Sequence, residues 1–239
     1  LYHDADGNLL YKASRYVRED GKKTFQIKHR DETAPGGWAY GLKDAGLPRV
    51  IYHLPDVIAA GKSGRTVVVA EGEKDVDNLR ALGFAATCNV GGAGKWGYRF
   101  PADWGTWFAG VRQVLIIADD DPATKMIKLY DRKKRAHIEE EKPFLVGQKH
   151  AWSVMNALKA AGFAGEIKLM VMPDVGSVHP KDFTDWLDAL RATGVEDPAA
   201  VKAAFRDAVK TAAAWPDAWH FTENDIEGAV EFERTDVAR

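Results

Sequence analysis

Thr66-Val-Val-Val-Ala70 and Val114-Leu-Ile-Ile-Ala118 are short, largely β-branched apolar runs, and each ends abruptly in acid. The first runs into Glu71-Gly-Glu-Lys-Asp75 and the second into Asp119-Asp-Asp121. Apolar runs without polar alternation read as strands buried on both faces, as in parallel sheets whose crossovers cover them. Carboxylates at the exits of two such strands converge at one edge of the sheet. In open α/β sheets ligands bind at that edge, outside the carboxyl ends of the strands.

Strand and helix patterns alternate around these runs. Val76, Leu79 and Leu82 recur at helical spacing between Asp75 and Leu82, Gly83 stops the helix, and Ala85 to Cys88 returns as a strand. This is a βαβ opening, parallel and right-handed in its crossover. Asn89-Val-Gly-Gly-Ala-Gly-Lys-Trp96 follows. It is not a P-loop, because Asn89 stands where the first glycine belongs and Trp96 where Ser or Thr belongs. Its glycines with Lys95 suit either backbone amides near a phosphate or a plain turn. Trp104, Trp107 and Phe108 mark a partly buried aromatic connection. After Asp121, the charged segment Lys125 to Lys142 reads as a solvated loop or helical insertion, or as a strip touching a phosphate backbone. A helix opens at Gly147-Gln-Lys-His-Ala151, a strand spans Glu166 to Met172, and a further helix starts in Lys181-Asp-Phe-Thr-Asp-Trp-Leu187. Pro198 to Ala214 reads as an alanine-rich helix and Thr222 to Glu233 as an acidic helix or tail.

The first 49 residues differ in texture. Leu9-Leu-Tyr11, Ser14-Arg-Tyr-Val17 and Thr24-Phe-Gln-Ile-Lys28 are separated by Asp6-Gly-Asn8 and Glu19-Asp-Gly21, the pattern of a small antiparallel meander. A short helix is expected from Asp56 to Ala60. Basic and aromatic residues interleave (Arg15, Tyr16, Lys22, Lys23, Lys28, Arg30, Trp38, Tyr40), which suits a nucleic-acid surface and equally a sheet with one wet face. The division expected is a β-rich subdomain over 1–62, an α/β core over 63–194 with an insertion at about 123–146, and a helical acidic extension over 195–239.

At 239 residues the chain can bury a substantial core. A formal charge of −2 gives no global footprint for nucleic acid, so such binding would need local basic patches. The single cysteine, Cys88, excludes an internal disulfide framework or a Cys-rich zinc ribbon, reads as a small buried residue, and fits a cytoplasmic setting. No apolar run approaches the roughly 20 residues of a membrane span. The chain begins at Leu1 rather than Met, as a piece of a longer one would.

Three acidic clusters are thus expected at the ends of three parallel strands: Glu71, the Asp119/Asp121 pair, and Asp182 with Asp185. Hard oxygen ligands without companion Cys point to Mg²⁺ or Mn²⁺, which bridge phosphates in phosphoryl transfer. Each cluster has a plainer reading too. Glu71 suits a helix-entry loop, Asp119 to Asp121 suit surface turns, and Asp182 with Asp185 three residues on has the spacing of a capping box.

Glu71-Gly-Glu-Lys-Asp75, Asp119-Asp-Asp121 and Pro180-Lys-Asp-Phe-Thr-Asp-Trp-Leu187 resemble the three motifs of a Toprim domain. The fold is shared by DnaG-type primases, type IA and II topoisomerases and certain nucleases. The resemblance extends to primases and primase-helicases of phages and mobile elements, where segments like Gly36-Gly-Trp38 and Tyr52-His-Leu-Pro55 precede the core and a Gly-x-Lys-His-Ala helix follows the acidic pair. It covers roughly residues 1 to 192. It implies a mainly parallel sheet flanked by helices and a DNA-directed RNA polymerase of the primase type. Such a nucleotidyltransferase would make RNA primers for DNA replication in the cytoplasm. The resemblance makes Glu71 the catalytic acid near the 3′ oxygen and Asp119 and Asp121 the metal ligands, with Asp182 and Asp185 completing the acidic site. Lys74, Lys95, Lys149 and His150 become candidates for phosphates of nucleotide or template, and Arg132 and Lys133 candidates for nucleic acid. Implied partners are a single-stranded DNA template, nucleoside triphosphates and a replicative helicase, fused or recruited, with no membrane.

Two features depart from the family pattern. About two dozen residues, Ala123 to Val146, separate Asp121 from the Gly-x-Lys-His-Ala helix, and neither a zinc ribbon nor a helicase P-loop is present in the sequence. A metal-dependent Toprim nuclease and a non-catalytic module that binds nucleic acid or a replication partner are the alternatives.

Overall fold

The computed structural model describes residues 1–21, 23–43, 45–120, 124–131, 136–143 and 146–214. Asp121, Arg132, Lys133 and the acidic stretch from Thr222 to Glu233 lie outside the described residues.

The expected meander is a four-stranded antiparallel sheet in the order β1 (Tyr2–His3), β2 (Leu9–Val17), β3 (Lys23–Arg30), β4 (Trp38–Tyr40). Asp4 shapes the first turn, its Oδ1 accepting the N–H groups of Asp6 and Asn8. Pleat alternation turns Tyr11, Ala13 and Ile27 toward the core. The buried Tyr11 hydroxyl donates to the Val50 carbonyl at 3.1 Å and accepts the Val50 N–H at 3.0 Å. Tyr2 stacks on Tyr11, with centroids 4.7 Å apart, and donates to Glu73 Oε1 at 2.8 Å. These bonds fasten the N-terminal sheet to Val50, ahead of the main sheet, and to Glu73 within the first acidic motif.

The main sheet is built from β5 (Thr66–Val69), β6 (Ala85–Thr87), β7 (Gln113–Ile117), β10 (Glu166–Met170) and β11 (Ala213–Ala214). Its order is β11-β10-β7-β5-β6, with the last four parallel and β11 antiparallel on the edge. Among the described residues, five α-helices pack around it: α1 (Leu54–Lys62), α2 (Glu73–Ala81), α3 (Val146–Ala160), α4 (Phe183–Ala192) and α5 (Pro198–Thr211). Val67, Val69, Val114, Ile116, Ile167 and Leu169 face α1, α3 and the aromatic connection. Val68, Leu115, Ile117 and Met170 face α2, α4 and α5. Both faces are dry, which is why these strands read as unbroken apolar runs. Cys88 is buried as a free thiol. Among the described residues no helix is long and apolar enough to cross a membrane.

Two expectations are corrected. The alanine-rich segment is not helical to Ala214: α5 stops at Thr211, Ala212 is extended (φ −61°, ψ 124°), and Ala213–Ala214 pairs with Leu169 and Lys168. Helix propensity yields here to the unpaired edge of β10. The charged insertion is neither loop nor helix but an antiparallel hairpin, β8 (Thr124–Asp131) with β9 (Ala136–Pro143), in register from Thr124 opposite Pro143 to Asp131 opposite Ala136.

The chain leaves β5 through α2 toward β6 on one side, and leaves β7 through α3 toward β10 on the other. Because β5 and β7 are neighbours, the connections diverge between them. Strand order reverses at this point, the position at which open α/β sheets form a crevice.

Candidate active site

Glu71 lies two residues beyond the end of β5 and Asp119 two beyond the end of β7. The strands run side by side, Val69 opposite Ile116, at the ordinary spacing of about 4.8 Å. Both carboxylates therefore stand at the lips of the crevice. Each residue is half-buried, and Oε2 of Glu71 is enclosed.

The helix after the insertion is seated directly on this edge. A Cβ added to Gly147 would lie 2.1 Å from the Asp119 carbonyl oxygen and 2.6 Å from its backbone nitrogen, so only glycine lets α3 approach so closely. Gln148 Nε2, one residue on, donates to Asp120 Oδ1 at 2.9 Å. The Asp120 N–H donates to the Lys181 carbonyl at 2.7 Å, tying the exit of β7 to the loop after β10.

That loop contributes a chain of ionisable groups that the sequence reading missed. His179 bridges two carboxylates, with Nε2 3.0 Å from Asp120 Oδ2 and Nδ1 2.7 Å from Asp174 Oδ1. Its pKa is raised, mainly by the bond to Asp174 and then by that to Asp120. A lone histidine in a proline-bounded loop carries no local signal of such a role.

Asp182 is the N-cap of α4, and its Oδ1 accepts the N–H of Asp185 at 2.8 Å. The capping geometry expected from their spacing is therefore present. Asp185 is exposed in the first turn. The acid that joins the first and third motifs is instead Asp75, 6 % exposed, whose Oδ1 accepts the Thr184 N–H at 2.9 Å and hydroxyl at 2.6 Å. Asn78 Nδ2 donates to the same hydroxyl oxygen at 2.9 Å. Burial raises the pKa of Asp75 while the bonds from Thr184 oppose the shift. The available signal was Thr184 itself, a polar residue next to Phe183 on a helix whose Trp186 and Leu187 face the core, which had to find a partner.

Lys74 and Lys149 are exposed in the first turns of α2 and α3, and Lys95 is exposed on the glycine-rich loop. Lys95 Nζ and Arg49 Nη1 lie 3.5 and 3.9 Å from the Cβ position of Gly91, so two cations meet over the loop. Arg49 was not foreseen. His150 is interior, 3 % exposed, and its Nδ1 accepts the Gly94 N–H at 3.2 Å. Burial lowers its pKa to about 4, so the ring is neutral near pH 7 and holds the loop from behind.

Glu71 and Asp119 offer carboxylate oxygens, the chemistry that suits Mg²⁺ or Mn²⁺. Both fit such an ion by position. Among the described residues no group of three or more His, Cys, Asp or Glu gathers closely enough to hold an ion, and Asp121 is not among them.

No protein-family model and no curated protein matches the chain. Among solved structures, the fold is similar to that of the Aquifex aeolicus primase, in a crystal structure of its zinc-binding and RNA polymerase domains. The TM-score is 0.48 and the identity 14 %, over 89 % of this chain and 39 % of that one, so the chain spans well under half the length of this neighbour.

Proposed function

We propose that the chain is a Toprim-type primase core of a phage or mobile element, joining ribonucleotides on single-stranded DNA with Mg²⁺ or Mn²⁺. The observation that carries this reading is the placement of Glu71 and Asp119 at the exits of adjacent strands, where the strand order reverses, with α3 locked onto Asp119 through Gly147.

In this reading Asp119 and Asp121 hold the divalent ion, with Asp182 and Asp185 nearby. The ion, when bound, supplies positive charge to the phosphoryl oxygens. The Glu71 carboxylate takes the proton of the attacking 3′ hydroxyl. Lys74, Lys95 and Lys149 bind triphosphate or template phosphates, joined by Arg49 beside the glycine-rich loop. His150 keeps that loop in place. Arg132 and Lys133, which follow β8 in the sequence, are a further nucleic-acid contact, and a replicative helicase, fused or recruited, supplies the unwound template.

The test supplies purified chain with single-stranded DNA, ribonucleoside triphosphates and Mg²⁺ or Mn²⁺. Short RNA products are expected from the wild type and none from Glu71→Gln or Asp119→Asn. DNA degradation in place of synthesis would make the chain a nuclease. DNA binding without either activity would make it a non-catalytic module.

A further inference from the structure

The outer face of the N-terminal sheet is built like a platform for a single strand. Cross-strand register places Lys12, Lys28 and Tyr40 in one row and Arg30 beside Trp38 in the next. Lys12 Nζ lies 3.7 Å from the centre of the Trp38 ring and Arg30 Cζ 4.4 Å from it, while Lys28 Nζ lies 4.4 Å from the centre of Tyr40. The positions of β2, β3 and β4 that share this face are Lys12, Ser14, Tyr16, Thr24, Gln26, Lys28, Arg30, Trp38 and Tyr40, without a single acid. Tyr40 is 67 % and Tyr16 43 % exposed.

The opposite face explains why this arrangement is not core packing, since Tyr11, Ala13 and Ile27 there already seal the sheet onto the main body. Like charges directly opposite one another destabilise a sheet pair, and Lys12 faces Lys28. The aromatic rings offset part of that repulsion, and a polyanion would offset the rest. A flat exposed ring among cations matches a strand whose bases are free to stack, because each base offers a π-face while the phosphates meet the cations. A duplex keeps its bases stacked and has no use for Tyr40.

We infer that this sheet face binds single-stranded nucleic acid, a base stacking on Tyr40 and phosphates meeting Lys12, Lys28 and Arg30. The surface is separate from the acidic edge, although its ligand is of the class that the polymerase reading calls for. Its binding needs neither nucleotides nor divalent ions, so the two proposals fail separately.

The experiment is a fluorescence anisotropy titration of the full chain with labelled oligo-dT in EDTA, repeated across salt concentrations. Affinity is expected to fall with salt with a log–log slope of about −2 for three phosphate contacts. Tyr40→Ala should weaken binding about tenfold, Tyr40→Phe should leave it within about twofold, and Lys28→Gln should reduce the slope by about 0.7. A matched duplex should bind more weakly than oligo-dT. Unchanged affinity in both Tyr40→Ala and Lys28→Gln would overturn the inference. So would a preference for duplex, or polyglutamate competing as well as oligo-dT with no dependence on Tyr40, which would mark a surface for acidic protein segments.

Discussion

Asp75 and Thr184 stand in the first turns of different helices, and a single carboxylate oxygen joins them, accepting the Thr184 hydroxyl at 2.6 Å and N–H at 2.9 Å. Because α2 follows Glu71 and α4 follows Asp182, this pair sets how far apart the first and third acidic motifs lie. Thr184→Val removes the hydroxyl, takes a donor from a buried carboxyl and leaves the Asn78 amide without that acceptor. A loss of about 2 kcal/mol is expected in urea denaturation, and Thr184→Ser should restore most of it.

Gly147→Ala places a methyl inside the backbone of Asp119. Neither α3 nor the exit of β7 can yield without moving the acid, so a cost of about 2 kcal/mol or more is expected. If the chain is the primase core proposed above, primer synthesis should drop even at temperatures where the variant remains folded. A variant with wild-type stability and activity would show that α3 is not seated on Asp119.

His150 makes stability depend on pH. Its folded pKa, about 4, is below the usual 6.5, so on acidification the unfolded chain takes up the proton first. Stability is therefore lost as pH falls from about 6.5 toward 4, amounting to about 2 kcal/mol by pH 5. Urea denaturation between pH 7 and 5 should show this loss in the wild type and not in His150→Asn. Parallel pH curves for the two proteins would refute it.

The His179 ring should titrate above the usual imidazole range in an NMR pH series. Asp120→Asn and Asp174→Asn should each lower the value, because each carboxylate is hydrogen-bonded to the ring and favours its charged form. No change in either variant would mean that the bridge does not form in solution.

The main sheet was legible because β5 and β7 are buried on both faces, so a local apolar run carried all the information needed. The acids at their exits were legible for the same reason. What escaped were relationships between distant positions. Ala213–Ala214 has no strand signal of its own and is extended because β10 offers an edge. The hairpin was hidden by charge: Lys128 lies opposite Glu139 and Leu129 opposite Ile138, a pairing visible only once the register is known. Asp75 meets Thr184 across more than a hundred residues, and His179 meets Asp120 across nearly sixty. Capping, by contrast, needs only three residues, and Asp182 with Asp185 could be read directly.

The hairpin of β8 and β9 departs after Asp120 and returns at α3, whose second residue rests on Asp119. Its two ends therefore meet, and it contributes no strand to the main sheet. Replacing the hairpin from Thr124 to Pro143 by a short linker is therefore expected to leave the core folded, which thermal melting of the shortened chain would check. On that geometry the hairpin is a cassette, free to change what it touches without reshaping the edge it rises from.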